Sequence, residues 1–165
     1  MTPMRFSAVL ASFLALIIVL AQTACTVATE PVDLFRSGEF ESAFEIFSER
    51  AANNDMAAVN FLGIHYYLGA GVERDFERAV RYFERAAFGH NADAQRNLAI
   101  MYLRGLGVRQ DNHRAYAWFY QSLTGGNANA REYLRMLADN VTPNAAGKAR
   151  DWVATELREH ARAQP

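Results

Sequence analysis

Apolar residues return along this chain at helical spacing, and the helical pattern itself returns every 36 residues. Ala58, Leu62 and Tyr66 fall at i, i+4 and i+8 and make one face of a helix. Gly69 and Gly71 interrupt it and permit the left-handed backbone of a tight exit. Ala79, Phe83 and Ala86 then form a second inward face, and Gly89 closes it. Laid over residues 93–128 without a gap, residues 57–92 give fourteen identities in 36 positions, far above chance. "YYLGAGVERD" and "YLRGLGVRQD" are therefore the same inter-helix turn written twice, with Asp75 and Asp111 placed to cap the helices that follow. Glu77 adds a negative charge in a first turn, where the helix dipole favours it. Alanines let the helices approach, and Tyr82 and Trp118 fill the remaining space.

The frame extends both ways. Ala43, Phe47 and Ala51 lie 36 residues before Ala79, Phe83 and Ala87, so residues 40–52 are expected as a second helix of an earlier unit. Its first helix shrinks to "PVDLFRSG", with Gly38 making the turn. Downstream, Ala130, Leu134 and Ala138 continue a first helix. "NVTPNAAG" then replaces the glycine turn, with Thr142 as cap and Pro143 at the first helical position. Ala149 and Trp152 match Ala115 and Trp118 at an offset of 34. Divergent ends suit a short solenoid, whose terminal units must close the stack.

These residues predict an all-α fold, a short α/α solenoid of helical hairpins. The first complete unit carries Ala58, Leu62, Gly63, Tyr66, Gly69, Gly71, Val72, Asp75, Ala79, Tyr82, Ala86, Ala87 and Gly89, and this set resembles the Sel-1-like repeats, relatives of tetratricopeptide repeats. The second unit departs from that pattern at Ala99, Ser122 and Leu123. The domain reading is a leader over 1–29 and a repeat domain over 30–165. Within the latter lie a partial unit (31–56), full units (57–92 and 93–128) and a divergent capping unit (129–165). The resemblance implies a right-handed solenoid and a protein-binding adaptor rather than an enzyme.

By analogy with that family, a partner would lie in a groove lined by the first helices, one turn along from the packing residues. Those positions are Asn60, Ile64 and Tyr67, then Asp93, Arg96, Ile100 and Leu103, then Glu132 and Met136, with Ala57 and Asn129 at the edges. Mixed apolar and charged contacts suit an extended or helical peptide or protein segment. Tyr67 and Arg96 are the expected anchors, because tyrosine and arginine often dominate binding energy.

The start of the chain reads differently. Arg5 precedes the apolar run "FSAVLASFLALIIVLA", and small residues follow, the layout of a signal peptide. Cys25, the one cysteine, resembles the lipid-modified residue of bacterial lipoproteins, although Gln22 stands where those leaders carry an aliphatic residue. Acylation at Cys25, cleavage after Ala21 or Ala28, and an uncleaved anchor all remain open. Each places the repeat domain outside the cytoplasm, periplasmic or secreted.

Charge and chemistry narrow the function further. The net charge of −1 and scattered arginines disfavour nucleic acid. A lone thiol excludes an internal disulfide. None of His65, His90, His113 and His160 pairs with another at i+3 or i+4, so no metal site is expected, nor any cofactor. His65 and His90 read as surface or interface residues. Phosphate-binding and nucleophile motifs are absent, since each glycine turn follows a helix rather than a strand. A cysteine-rich secreted branch of the resembling family is linked to β-lactam chemistry, but its cysteine pairs are missing here. The expected function is a non-catalytic envelope adaptor. A scaffold for wall or polysaccharide assembly is the alternative, and a secreted hydrolase a distant third.

Overall fold

The computed structural model describes residues 30–163; the leader and Cys25 lie outside them. The described residues form eight helices and no strand. In chain order these are α1 (Pro31–Ser37), α2 (Phe40–Ala52), α3 (Met56–Leu68), α4 (Phe76–Phe88), α5 (Ala92–Arg104), α6 (Asn112–Thr124), α7 (Ala130–Leu137) and α8 (Pro143–Ala163). Each helix through α7 packs on its neighbours in sequence, so the hairpins stack in one line.

Polar side chains start the helices where the sequence places them. The Asp55 carboxylate accepts from the amides of Ala57 and Ala58, Asp75 from that of Arg78, and Asp111 from those of His113 and Arg114, at 2.8–3.1 Å. Asn91 caps α5 through Ala94 N at 2.8 Å, and Thr142 Oγ1 accepts from Ala145 N at 3.3 Å ahead of α8. Each such cap is worth about 1 kcal/mol.

The glycine turns end α3 and α5. Gly69 and Gly105 take left-handed φ of 72° and 67°, and Gly71 and Gly107 take 69° and 67°. The amides of Asp75 and Asp111 then bond back to Tyr66 O and Tyr102 O, which closes the turn onto the helix it leaves. A Cβ on Gly71 would stand 2.9 Å from Glu41 N and Phe40 C, and one on Gly107 2.5 Å from Phe76 C and O. Each turn thus presses on the start of the second helix in the preceding unit. The glycines are junction residues as well as turn residues.

The other end of each hairpin differs from expectation. Gly89 ends α4 with a φ of −76°, and the left-handed residue is the next one, His90, at 62°. Asn54 and Gly126, each 36 residues away, share that conformation at 60° and 101°. Gly89 is small for a different reason: a Cβ there would meet Met56 Cγ at 2.6 Å.

The core runs the length of the stack. Ala43, Phe47, Ala79, Phe83, Ala94, Leu98, Ala115, Trp118, Phe119 and Ala130 are all at most 2% exposed. Aromatic contacts knit the units, with Phe47 on Phe61 and Phe119 on Tyr133 both stacked at 4.5 Å. Side chains satisfy helix ends across junctions. Arg85 Nη2 donates to Ala51 O at 2.9 Å, and Gln95 Nε2 donates to Ala87 O at 3.2 Å. Ser122, one of the departures noted in the second unit, donates its hydroxyl to Ala92 O at 2.6 Å. Ser122→Ala should therefore cost about 1 kcal/mol, a fall in urea midpoint at unchanged slope.

At the C-terminal end α8 packs on α6 rather than on α7, although α7 precedes it in the chain. Val153 and Leu157 are its buried residues deep in the helix. Trp152 holds the register of Trp118 but is only half-buried, under the Arg114 guanidinium at 4.6 Å.

His65 decides between the surface and interface readings of the sequence. It is not a surface residue: it is fully buried on α3, ringed by Phe35, Phe44 and Phe47 at 4.9–5.9 Å. Its Nδ1 donates to Ala70 O at 2.7 Å, which fixes the neutral tautomer, and Nε2 has no partner. The equivalent residue one unit on is Met101, also buried. Burial holds the imidazole pKa below its ordinary value, against the smaller upward pull of the Ala70 carbonyl. The sign follows directly. The unfolded chain takes up the proton first, so stability is complete above about pH 6.5 and is lost as pH falls below it. His65→Met should flatten this dependence. The parent should lose about 1 kcal/mol relative to that variant between pH 7.5 and 5.5, read by thermal melts of both. Glu84, whose carboxyl burial raises despite Arg114 and Arg81, acts in the opposite direction, and the paired comparison cancels it.

Candidate functional site: the concave face of α3 and α5

Two helices of the same register, α3 and α5, build this face. Asn60, Ile64 and Leu68 follow each other at i, i+4 and i+8 on α3, and Arg96, Ile100 and Arg104 occupy the equivalent positions on α5. A cavity of about 400 Å3 lies between the two stripes, with Phe83 and Met101 also in its wall. Its lining is more apolar than polar, and Leu68, 54% exposed, is one of two large apolar side chains left open to solvent among the described residues. A concave, mainly apolar site of this size with a few polar groups has the general form of a ligand pocket.

The polar groups are specific in their partners. Asn60 is nearly buried and accepts from Asn97 Nδ2 at 2.9 Å. That one bond leaves the Asn60 NH2 group and the Asn97 carbonyl unbonded, donors beside an acceptor. Tyr67 leans on Phe76 at 5.7 Å, and its hydroxyl accepts from Arg104 Nη1 at 3.4 Å. Asp93 accepts from Asn127 Nδ2 at 2.7 Å, a contact that ties the two ends of one unit together. Among the described residues Arg96 forms no ion pair, and its Nε is buried without an acceptor.

Of the nine expected groove residues, Asn60, Ile64, Tyr67, Asp93, Arg96 and Ile100 line this cavity together. Leu103 is half-buried outside it. Glu132 and Met136 lie apart on α7, where Glu132 pairs with Arg135 at 3.4 Å and Met136 is 54% exposed. The cavity also includes Phe61, Asn97 and Arg104, which the sequence reading passed over. The 36-residue frame held the signal for them: Phe61 and Asn97 share one register position, Leu68 and Arg104 another.

Two further clefts are distinct from this one. The larger, about 780 Å3, lies at the start of α6 among Arg109, Asp111, His113 and Asn140. The smaller, about 380 Å3, carries Tyr66, Tyr82 and Arg78 on the outer side. There Tyr66 already stacks on Tyr82 at 5.5 Å and lies under the Arg78 guanidinium at 5.4 Å. Among the described residues no group of three or more His, Cys, Asp or Glu is placed to hold a metal ion. No described helix is long and apolar enough to cross a membrane.

Stacked helical hairpins with a concave first-helix face define a short α/α solenoid, an architecture whose repeats present an extended surface. The Sel1 repeat family model matches residues 57–87 and 92–127, so the chain carries two Sel1 repeats. Repeats of this family typically mediate protein–protein interaction. Among solved structures, a protective antigen of uropathogenic Escherichia coli strains with an SLR fold is 28% identical, with a TM-score of 0.70 over 81% of this chain and 31% of its own. A Sel1 repeat protein from Oxalobacter formigenes is also 28% identical, with a TM-score of 0.61 over 65% of this chain and 44% of its own. Cysteine rich protein B of Helicobacter pylori shares the fold at 20% identity, with a TM-score of 0.54 over 67% of this chain and 98% of its own. The chain thus spans less than half the length of the first two. No curated protein matches it.

Proposed function

We propose that this chain is a non-catalytic adaptor of the bacterial envelope that holds a peptide or protein segment against α3 and α5. The observation that carries the reading is the cavity itself. It is apolar at its centre, its wall holds a carboxamide pair with a spare donor and acceptor, and Arg96 in that wall buries its Nε without an acceptor among the described residues. A peptide bond offers one acceptor and one donor, which matches what the Asn60–Asn97 pair leaves unused. Helices packed on both sides keep the face rigid, so little ordering entropy is lost on binding. The envelope setting rests on the leader and on the bacterial sources of the similar structures. The alternative of a wall or polysaccharide scaffold would call for open aromatic platforms. The outer cleft does not favour it, because the Tyr66 ring is already engaged.

The test is capture of envelope proteins on the full chain beside a Tyr67→Ala, Arg96→Glu double variant whose melt shows it folded. Proteins held by the parent and lost by the variant support the reading. Equal retention by both would move the binding surface off this face and sink it.

A further inference from the structure

We infer that the segment bound on this face is an extended acidic one, of the form acid–x–apolar–x–acid. The inference rests on the groove reading above and adds the chemistry of its occupant. It starts from the order of groups along α5: Arg96, Ile100 and Arg104, a cation at each end of an apolar centre. Ile64 faces that centre from α3 and completes the apolar floor.

Neither guanidinium is neutralised within the described residues. Arg96 makes no ion pair and buries its Nε without an acceptor, a state that costs free energy until a partner supplies one. Arg104 touches only the Tyr67 hydroxyl, at 3.4 Å. The one carboxylate in the lining, Asp93, is held by Asn127. Two cations against one anion leave the cavity positive, in a chain whose net charge is −1. The charge that complements this face is therefore negative, and a carboxylate suits the fork of an arginine better than any neutral acceptor.

Spacing fixes the form of the segment. Eight residues of helix separate Arg96 from Arg104, about 12 Å along the axis. In an extended peptide, side chains i, i+2 and i+4 share one side, and i to i+4 spans about 13 Å. A carboxylate at each end then meets an arginine, while the side chain between them enters the apolar floor of Ile64 and Ile100. The intervening peptide bonds pass the Asn60–Asn97 pair. A helical segment would need its two acids about eight residues apart to span the same distance.

The experiment is selection from a random nine-residue peptide library on the full chain, on Arg96→Gln, Arg104→Gln and on Ile100→Glu, each checked for folding by its melt. The parent should enrich peptides with two acids four residues apart and Leu, Ile, Met or Phe midway. The double glutamine variant should lose the acidic preference and keep the apolar one. Binding of the best parent peptide should weaken about tenfold per arginine replaced and should fall with added salt. Enrichment of peptides without acids, abolished by Ile100→Glu, would overturn the acidic inference and keep the groove. Acids eight residues apart would overturn the extended form. No enrichment by the parent, or enrichment indifferent to Ile100→Glu, would overturn the groove reading and this inference together.

Discussion

Gly107→Val is expected to lower stability by about 3–5 kcal/mol, enough to leave much of the chain unfolded at 37 °C. Two costs add. At a φ of 67° a side chain of ordinary handedness pays about 1–2 kcal/mol, and a β-branched one pays more. The added Cβ would also stand 2.5 Å from Phe76 C and O, backbone atoms at the head of α4 that a rotamer change cannot move aside. The junction between two units has to open to admit it. Other glycines give a graded control. Gly105→Ala shares the left-handed φ but meets Gln110 Cβ at 3.2 Å, where a shift of a few tenths of an ångström relieves the contact, and should cost about 1–2 kcal/mol. Gly38→Ala has a φ of 89° with nothing within 4 Å, and should cost about 1 kcal/mol. Urea melts of the three variants check the order. Equal losses at all three would show that conformation alone matters and that the turn is not a junction element.

Trp118→Ala is the second large effect, about 3–5 kcal/mol. The indole is 1% exposed on α6, the helix on which both α7 and α8 rest, and Phe88 meets it edge to face at 5.7 Å. Removing it leaves a cavity where the terminal unit docks, so α8 should gain hydrogen exchange before the rest of the stack. Trp118→Phe should cost only about 1 kcal/mol, because the indole N–H is buried without an acceptor and its loss removes an unmet donor. Trp152→Ala, at the matching position of the last unit, should cost about 1–2 kcal/mol, since that ring is half exposed and held by one guanidinium. Similar losses at the two tryptophans would contradict the packing described for α8.

Much of this architecture was legible because the repeat supplies a ruler. α2 was placed from Ala43, Phe47 and Ala51 alone, and its span of Phe40–Ala52 matches residue for residue. Gly69 and Gly71, the Asp75 and Asp111 caps and the Thr142–Pro143 start were readable because turn and cap chemistry is local. What escaped depends on contacts between units. His65 read as a surface or interface residue, and three phenylalanines of α1 and α2 close over it entirely. His90 takes the left-handed conformation because the chain must turn one residue past Gly89, whose small size serves Met56 instead. The seat of α8 on α6 had no local signal, since the 34-residue offset fixes its register and says nothing of which helix receives it.

The concave face was legible in the same partial way. Six expected residues share the cavity, because positions one turn along from the packing stripe point to the same side of both helices. Leu103, Glu132 and Met136 fall outside it, two of them because α7 lies beyond the pair of helices that enclose the space. Arg104 was hidden by its partner in register, Leu68, whose apolar character gave no hint of a charge at that column.

Site-specific photocrosslinking tests the central claim most directly. A benzoyl-phenylalanine at position 67, in the groove, is compared with one at Arg81, exposed on the outer helix α4. The groove account predicts that the full chain, irradiated in an envelope extract, forms a defined protein adduct from position 67 and none from position 81. Adducts from position 81 with none from position 67 would contradict it and place recognition on the outer face.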